Sequence, residues 1–397
     1  MSALNWQELF RTALKKYFKN DEIDILSYKR SMVVPIGENY TSNIFRCLVT
    51  FYLENRKTSI SLIVKCIVDD REQVFELSRQ LQTFKVEKEI YSSILPSLYN
   101  ISGLPSFSCK FINYTNTPYD IIMLEDLSEL GYKTVNRLEG LDLDHCLCAI
   151  ERIAYMHASS MILYEKNPES YKNFYKGLFS KNELTTAWIK RALEGLIEAT
   201  ANWKGFEKYS TKLKLIQDKV CERAASSLER EIGGFNVLNH GDCWITNFLF
   251  SYSDTGDILD CKLIDYQMAI YSSPGTDLQY FWATSPHIEI RHQHLDTILD
   301  HYYYKFSNTL RKLNYSSEKI PSKSQLLDEW KFRAFYGLVS ATVVLPLVKA
   351  GKREDATFES FMASGDNAFR YHTFNNERYR KHMEYLLPFY DNLGALD

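Results

Sequence analysis

The sequence predicts an α+β chain in two lobes, the first strand-rich and the second mostly helical. Three observations carry that expectation. The 397 residues exceed what one compact core holds. Short apolar runs joined by polar turns prevail up to about Leu124, and 3.6-residue apolar patterns prevail from Asp142 onward. Between them Glu125-Asp126-Leu127 opens an acidic linker. The boundaries read 1–124 for the first lobe, 125–133 for the linker and 134–397 for the second lobe.

In the first lobe, Trp6, Leu9, Phe10, Ala13, Leu14 and Tyr17 recur at helical spacing across Asn5 to Phe18. Ile44 to Leu53 and Ser59 to Val68 then read as paired strands. They follow a strand-like Ser31 to Pro35 and the turn Ile36 to Asn43, rich in the Gly, Asn, Thr and Ser that can offer N–H groups and hydroxyls to phosphate. Lys65 interrupts an apolar run, and a charge there needs a partner or an exposed edge. A helix is predicted over Arg71 to Ile94, and Glu87 and Glu89 fall on different faces of it, so one of them can meet Lys65. Strands are predicted near Phe107 to Asn113 and Asp120 to Leu124.

The second lobe reads as helices from Asp142, over Asn182 to Ala201, Thr211 to Glu231, Tyr302 to Leu313, Gln325 to Val348 and Asn376 to Leu386. His157 reads as a packing histidine, and His287, His292 and His294 lack ligand spacing on one face. Asp277, after Ser-Ser-Pro-Gly-Thr, reads as a helix N-cap able to brace a neighbouring loop.

One stretch breaks this helical company. Val237 to Gln267 holds His240-Gly241-Asp242, then Asn247, then Asp265 just beyond a second apolar run. It reads as a strand ending in a loop, followed by a hairpin that delivers Asp265. Asp-x-x-x-x-Asn followed by a strand-end Asp is how kinases position a base and hold magnesium. Glycine-rich dinucleotide and P-loop signatures are absent.

Composition narrows the partners. A net charge of -3 with scattered basic residues implies no general attraction to nucleic acid or anionic membrane. Eight cysteines without a Cys-x-x-Cys pair point to reduced thiols rather than a disulfide frame or a zinc site. No secretory signal and no membrane span are read, so the expectation is a cytoplasmic protein without an obligate protein partner.

The ordered motifs resemble the ecdysteroid kinase-like family, relatives of choline and aminoglycoside kinases. They are Gly-Glu-Asn-Tyr-Thr-Ser (37–42), Ile-Val-Lys (63–65), Phe-x-x-Glu-x-x-x-Tyr-x-x-x-Leu-Pro (84–96) and Leu-Glu-Asp-Leu (124–127). Leu-Asn-His-Gly-Asp-x-Trp-x-x-Asn (238–247), Ile-Asp-Tyr-Gln (264–267) and Asp-Leu-x-Tyr (277–280) complete the series. The resemblance implies a bilobal protein-kinase-like fold and an ATP- and Mg2+-dependent transfer of phosphate to a hydroxyl of a small organic molecule. The acceptor class it implies is an ecdysteroid-like steroid or a xenobiotic conjugate. It further implies Asp242 as base, Asn247 and Asp265 as magnesium ligands, Lys65 on the phosphates and Glu87 positioning Lys65. Asn39, Tyr40, Thr41 and Ser42 would line the phosphates, and the main chain of Glu125 and Leu127 would meet adenine. One departure is Pro35, where relatives often carry glycine, which implies a stiffer phosphate loop. Two other readings stand beside this one: a choline- or ethanolamine-type kinase, and a nucleotide-binding pseudokinase acting as an interaction module.

Overall fold

The computed structural model describes residues 4–33, 42–67, 72–231, 233–363 and 369–397. The first lobe is an antiparallel five-stranded sheet in the order β1-β2-β3-β5-β4. Its strands are β1 (Asp24–Met32), β2 (Ser42–Leu53), β3 (Arg56–Ile67), β4 (Phe111–Thr115) and β5 (Ile121–Glu125). Glu54 and Asn55 join β2 to β3 with φ of 51° and 61°, the two left-handed residues of a tight hairpin turn. The opening helix Trp6–Phe18 is capped by Asn5, whose side chain accepts from Glu8 N–H.

Alternation along β3 decides the environment of Lys65. Leu62, Val64 and Cys66 face a small core with Cys47, Val49, Phe51 and Met123, closed by Phe10 and Leu14 of the opening helix. Ile63, Lys65 and Ile67 therefore face the other way, toward the cleft. β3 is central in the sheet, and Lys65 pairs in register with Ile44 on one side and Ile122 on the other. The lysine is 3% exposed, so it has a partner rather than an edge.

The predicted helix over Arg71 to Ile94 is divided. Glu72–Leu81 ends at Gln82, whose φ is 58°, and a new helix runs Thr83–Glu89. A π-helical turn, Ile90–Ile94, leads into Leu95–Ser102, with Pro96 in its first turn, where a missing N–H costs nothing. Phe84, Val86, Ile90 and Leu98 bury themselves in the large core of the helical lobe, so burial runs continuously across the linker.

In the second lobe helix Leu143–Lys166 packs along Leu295–Lys312. The predicted helix Thr211 to Glu231 is two shorter ones, Glu207–Ile216 and Val220–Ser226. Gln325 to Val348 is three, Lys323–Phe332, Ala334–Val343 and Leu345–Lys349. Two small sheets carry the interrupted stretch: β6 (Val237–Asn239) pairs with β9 (Ile270–Ser272), and β7 (Phe248–Tyr252) pairs with β8 (Ile258–Leu263). Among the described residues, no helix is long and apolar enough to cross a membrane.

Candidate active site

The two lobes meet at Lys65. Its Nζ donates to Glu87 Oε2 at 2.7 Å, to Asp265 Oδ1 at 2.6 Å and to Gln267 Oε1 at 3.3 Å. Glu89 faces away and accepts from Asn173 Nδ2 at 3.1 Å. Burial by itself would discharge Lys65, but the charges and hydrogen bonds of Asp265 and Glu87 hold its ammonium above the ordinary lysine range. Glu87 is pushed up to about 7, first by burial and then by Asp265, with Lys65 opposing. One ammonium thus serves two carboxylates.

The loop after β6 is built around Asp277. Helix Gly275–Thr284 begins before Asp277, so this residue is not its N-cap; Ser273 Oγ accepts from Gly275 N–H instead. Asp277 turns its carboxylate back to the loop, accepting from His240 N–H at 2.7 Å and Gly241 N–H at 2.8 Å. His157 supports it from behind, with Nε2 3.1 Å from Asp277 Oδ2 and Nδ1 2.7 Å from the Tyr302 hydroxyl. Burial would raise Asp277, yet these contacts with His157 keep it below the usual carboxylate range. Gly241 has a φ of 79°, and a Cβ there would lie 1.9 Å from the Met268 carbonyl oxygen. His240 Nε2 reaches Ile264 O at 2.8 Å while its Nδ1 accepts from Asp242 N–H at 3.3 Å. Burial lowers the His240 pKa, so the ring is a neutral strut between the loop and the Asp265 segment.

Asp242 hangs from this frame. Its Oδ1 accepts from the Tyr280 hydroxyl at 2.5 Å and its Oδ2 from Asn247 Nδ2 at 3.2 Å. Burial and the Asp265 charge push it up to about 7, against those two hydrogen bonds and Lys65. A carboxylate near neutrality is matched to proton transfer at physiological pH. Asn247 spends its amide NH2 on the Asp242 carbonyl and carboxylate, at 2.9 and 3.2 Å, which leaves its amide oxygen as the donor atom for a cation. The Asn247 carbonyl accepts from Ile264 N–H at 3.1 Å, so the hairpin sets Asn247 beside Asp265. Asp265 has a φ of 66°, a conformation asparagine and aspartate tolerate best.

Oxygen donors from one amide and one carboxylate suit magnesium, which retains waters and takes phosphate oxygens. Among the described residues, no group of three or more His, Cys, Asp or Glu side chains could hold a metal by itself.

At the linker, Asp126 is a buried carboxylate, whereas Glu125 is half-buried. It accepts from Arg46 Nε and Ser61 Oγ, both at 2.7 Å, and from Ser128 N–H at 3.1 Å, tying β2 and β3 to the linker. The Glu125 side chain meets Lys110 Nζ at 3.0 Å, and its N–H donates to Lys110 O at 3.0 Å. The Leu127 carbonyl accepts from Tyr132 N–H at 3.1 Å. Ser42 is buried at the start of β2, whereas Asn39, Tyr40 and Thr41, with Pro35, lie outside the described residues.

Sequence spacing brought Lys65, Glu87, Asp242, Asn247 and Asp265 to notice. It did not assign work to Tyr280, Gln267 or Asp126. The signal for Tyr280 was present in Asp-Leu-x-Tyr: Tyr280 lies three positions beyond Asp277, about one helical turn, so both face the same loop.

The model of the ecdysteroid kinase-like family matches residues 36–315, more than half of the chain. The chain belongs to the ecdysteroid kinase-like family. The match spans β2 to β5 of the sheet, the linker and the loop of Asp242, and the strand-rich and helical halves are those of the family's bilobal kinase-like fold. Membership places the chain among small-molecule kinase-like phosphotransferases. A search of curated proteins finds no match.

Proposed function

We propose that the chain is an ATP- and magnesium-dependent phosphotransferase that phosphorylates a hydroxyl of a small organic molecule, an ecdysteroid-like steroid or a xenobiotic conjugate. The observation that carries this reading is Asp242, half-buried, fixed by Tyr280 and Asn247, and set in one cluster with Asp265 and Lys65.

Phosphoryl transfer needs positioning and charge neutralisation more than covalent chemistry. Glu125 commits its N–H and Leu127 its carbonyl within the protein; the Glu125 carbonyl and the Leu127 N–H would be the acceptor and donor offered to an adenine edge. Lys65, held by Glu87, would hold the phosphates. Asp265 and the Asn247 amide oxygen would hold magnesium, which would supply neutralisation of the phosphate charge. Ser42, with Asn39, Tyr40 and Thr41, would line the phosphates. Asp242 orients the acceptor hydroxyl and takes its proton late in transfer.

The test is incubation of the purified protein with labelled ATP, magnesium and a metabolite extract, with mass-spectral detection of molecules that gain one phosphate. Asp242→Asn runs in parallel. Products with the native chain and about 10²–10⁴-fold less with the variant, at unchanged MgATP affinity, support the reading. Equal turnover by the variant removes Asp242 from its role, and no product from any extract returns the chain to the pseudokinase alternative.

A further inference from the structure

Between the end of helix Glu72–Leu81 and the second lobe lies a cavity of ≈ 450 Å³, within the size range of small-molecule sites. None of Lys65, Asp242, Asn247 or Asp265 lines it. One wall is the end of helix Glu72–Leu81, through Gln80 and Leu81; the opposite wall is the segment 175–182 and the residues around Leu228. Its surface has three characters. Leu81, Ala225 and Leu228 are apolar, and Tyr175, 63% exposed, offers an aromatic face. Lys176 and Lys181 bring two ammonium groups against one carboxylate, Glu229. Among the described residues neither lysine forms an ion pair; Lys176 Nζ donates to the Gln80 carbonyl at 3.0 Å. Gln80 turns its amide nitrogen to Glu76 Oε1 at 2.8 Å, so its side chain closes this end of the wall.

We infer that this cavity is a binding site for an apolar molecule that carries an acidic group. The apolar surfaces take the skeleton, and Lys176 and Lys181 attract the acid. A ligand there touches both lobes. Helix Glu72–Leu81 leads through Gln82 into the helix of Glu87, and Phe174 O accepts from Tyr271 N–H of β9 at 2.8 Å. The inference rests on this cavity alone and not on the phosphotransfer reading.

The probes are cholate, a hydroxylated apolar skeleton with a carboxylate, and its uncharged methyl ester, titrated below aggregation into the full chain by calorimetry without nucleotide. Cholate binds with one-to-one stoichiometry about threefold or more tighter than methyl cholate, and the gap narrows as salt rises. The double variant Lys176→Gln/Lys181→Gln binds both probes with the affinity of the ester. Ala225→Trp, which fills the cavity, abolishes binding of both, with thermal melting confirming that each variant is folded. No saturable binding, equal affinity for the two probes in the native chain, or undiminished binding by Ala225→Trp overturns the inference. Phosphate transfer is not part of the readout, so either proposal can fail without the other.

Discussion

Lys65 Nζ lies 2.6 Å from Asp265 Oδ1, although the two residues are 200 positions apart in the chain. The contact joins the central strand of the sheet to the residue just beyond the β7–β8 hairpin, and Glu87 completes it from a third element.

Removing the ammonium exposes what it balances. Lys65→Met leaves Glu87 buried without its cation, and loss of one partner of a buried pair costs about 3–5 kcal/mol. Denaturant unfolding at pH 8 shows the full loss. At pH 5 the loss is smaller, because Glu87 takes a proton. Adding Glu87→Met restores most of the stability while phosphate transfer stays absent.

Gly241→Ala meets two obstacles. The φ of 79° disfavours any side chain by about 1–2 kcal/mol, and the new Cβ would lie 1.9 Å from Met268 O. The loop must shift, so melting temperature and turnover fall together. Gly256→Ala, with φ of 91° and nothing near its Cβ, lowers melting temperature alone.

Tyr280→Phe removes one donor to Asp242 without emptying the space. A hydrogen bond to a charged group is worth enough to lower kcat about tenfold to a hundredfold. KM for ATP changes less than about twofold, as the nucleotide contacts lie elsewhere. Steady-state kinetics at saturating acceptor separates the two parameters.

Asp242 stands at about 7 against an ordinary 3.8, from burial first and Asp265 second. With ionised Asp242 as the proposed base, kcat/KM is expected to fall as pH drops below about 7. The stability effect has the opposite sense. Between pH 4 and 7 the folded chain holds a proton on Asp242 that the unfolded chain has released, so this contribution to stability declines as pH rises through that window. Glu87, at about 7 against 4.5, adds in the same direction. Paired pH profiles of kcat/KM and of unfolding midpoint check both senses.

What was legible in the sequence was what local pattern encodes. The opening helix carries its apolar stripe and its Asn5 cap. Lys65 could be placed on a strand by its neighbours, and Asp242, Asn247 and Asp265 by the phrases around them. β1 escaped because it is an edge strand with eight of nine residues exposed, so no alternation marks it. The break at Gln82 escaped because no Gly or Pro announces it. The three helices between Lys323 and Lys349 merged into one because Ala334–Val343 is buried on every side and shows no stripe. Asp277 and His157 meet across 120 positions, and no spacing rule reaches that far. The phosphate-loop residues Asn39, Tyr40 and Thr41 lie outside the described residues.

The two cores have a mechanical consequence. Lys65 rides on β3, whose other face closes over the small core of the sheet, while Glu87 is rooted by Phe84 and Val86 in the large helical core. Rocking the sheet away from the helices must therefore stretch a contact buried from water at both ends, with side chains 4% and 1% exposed. The pair is a latch across the cleft. In the proposed function, phosphates would take over the Asp265 side of Lys65 while the Glu87 side stays fastened, and a nucleotide would enter without the lobes coming apart.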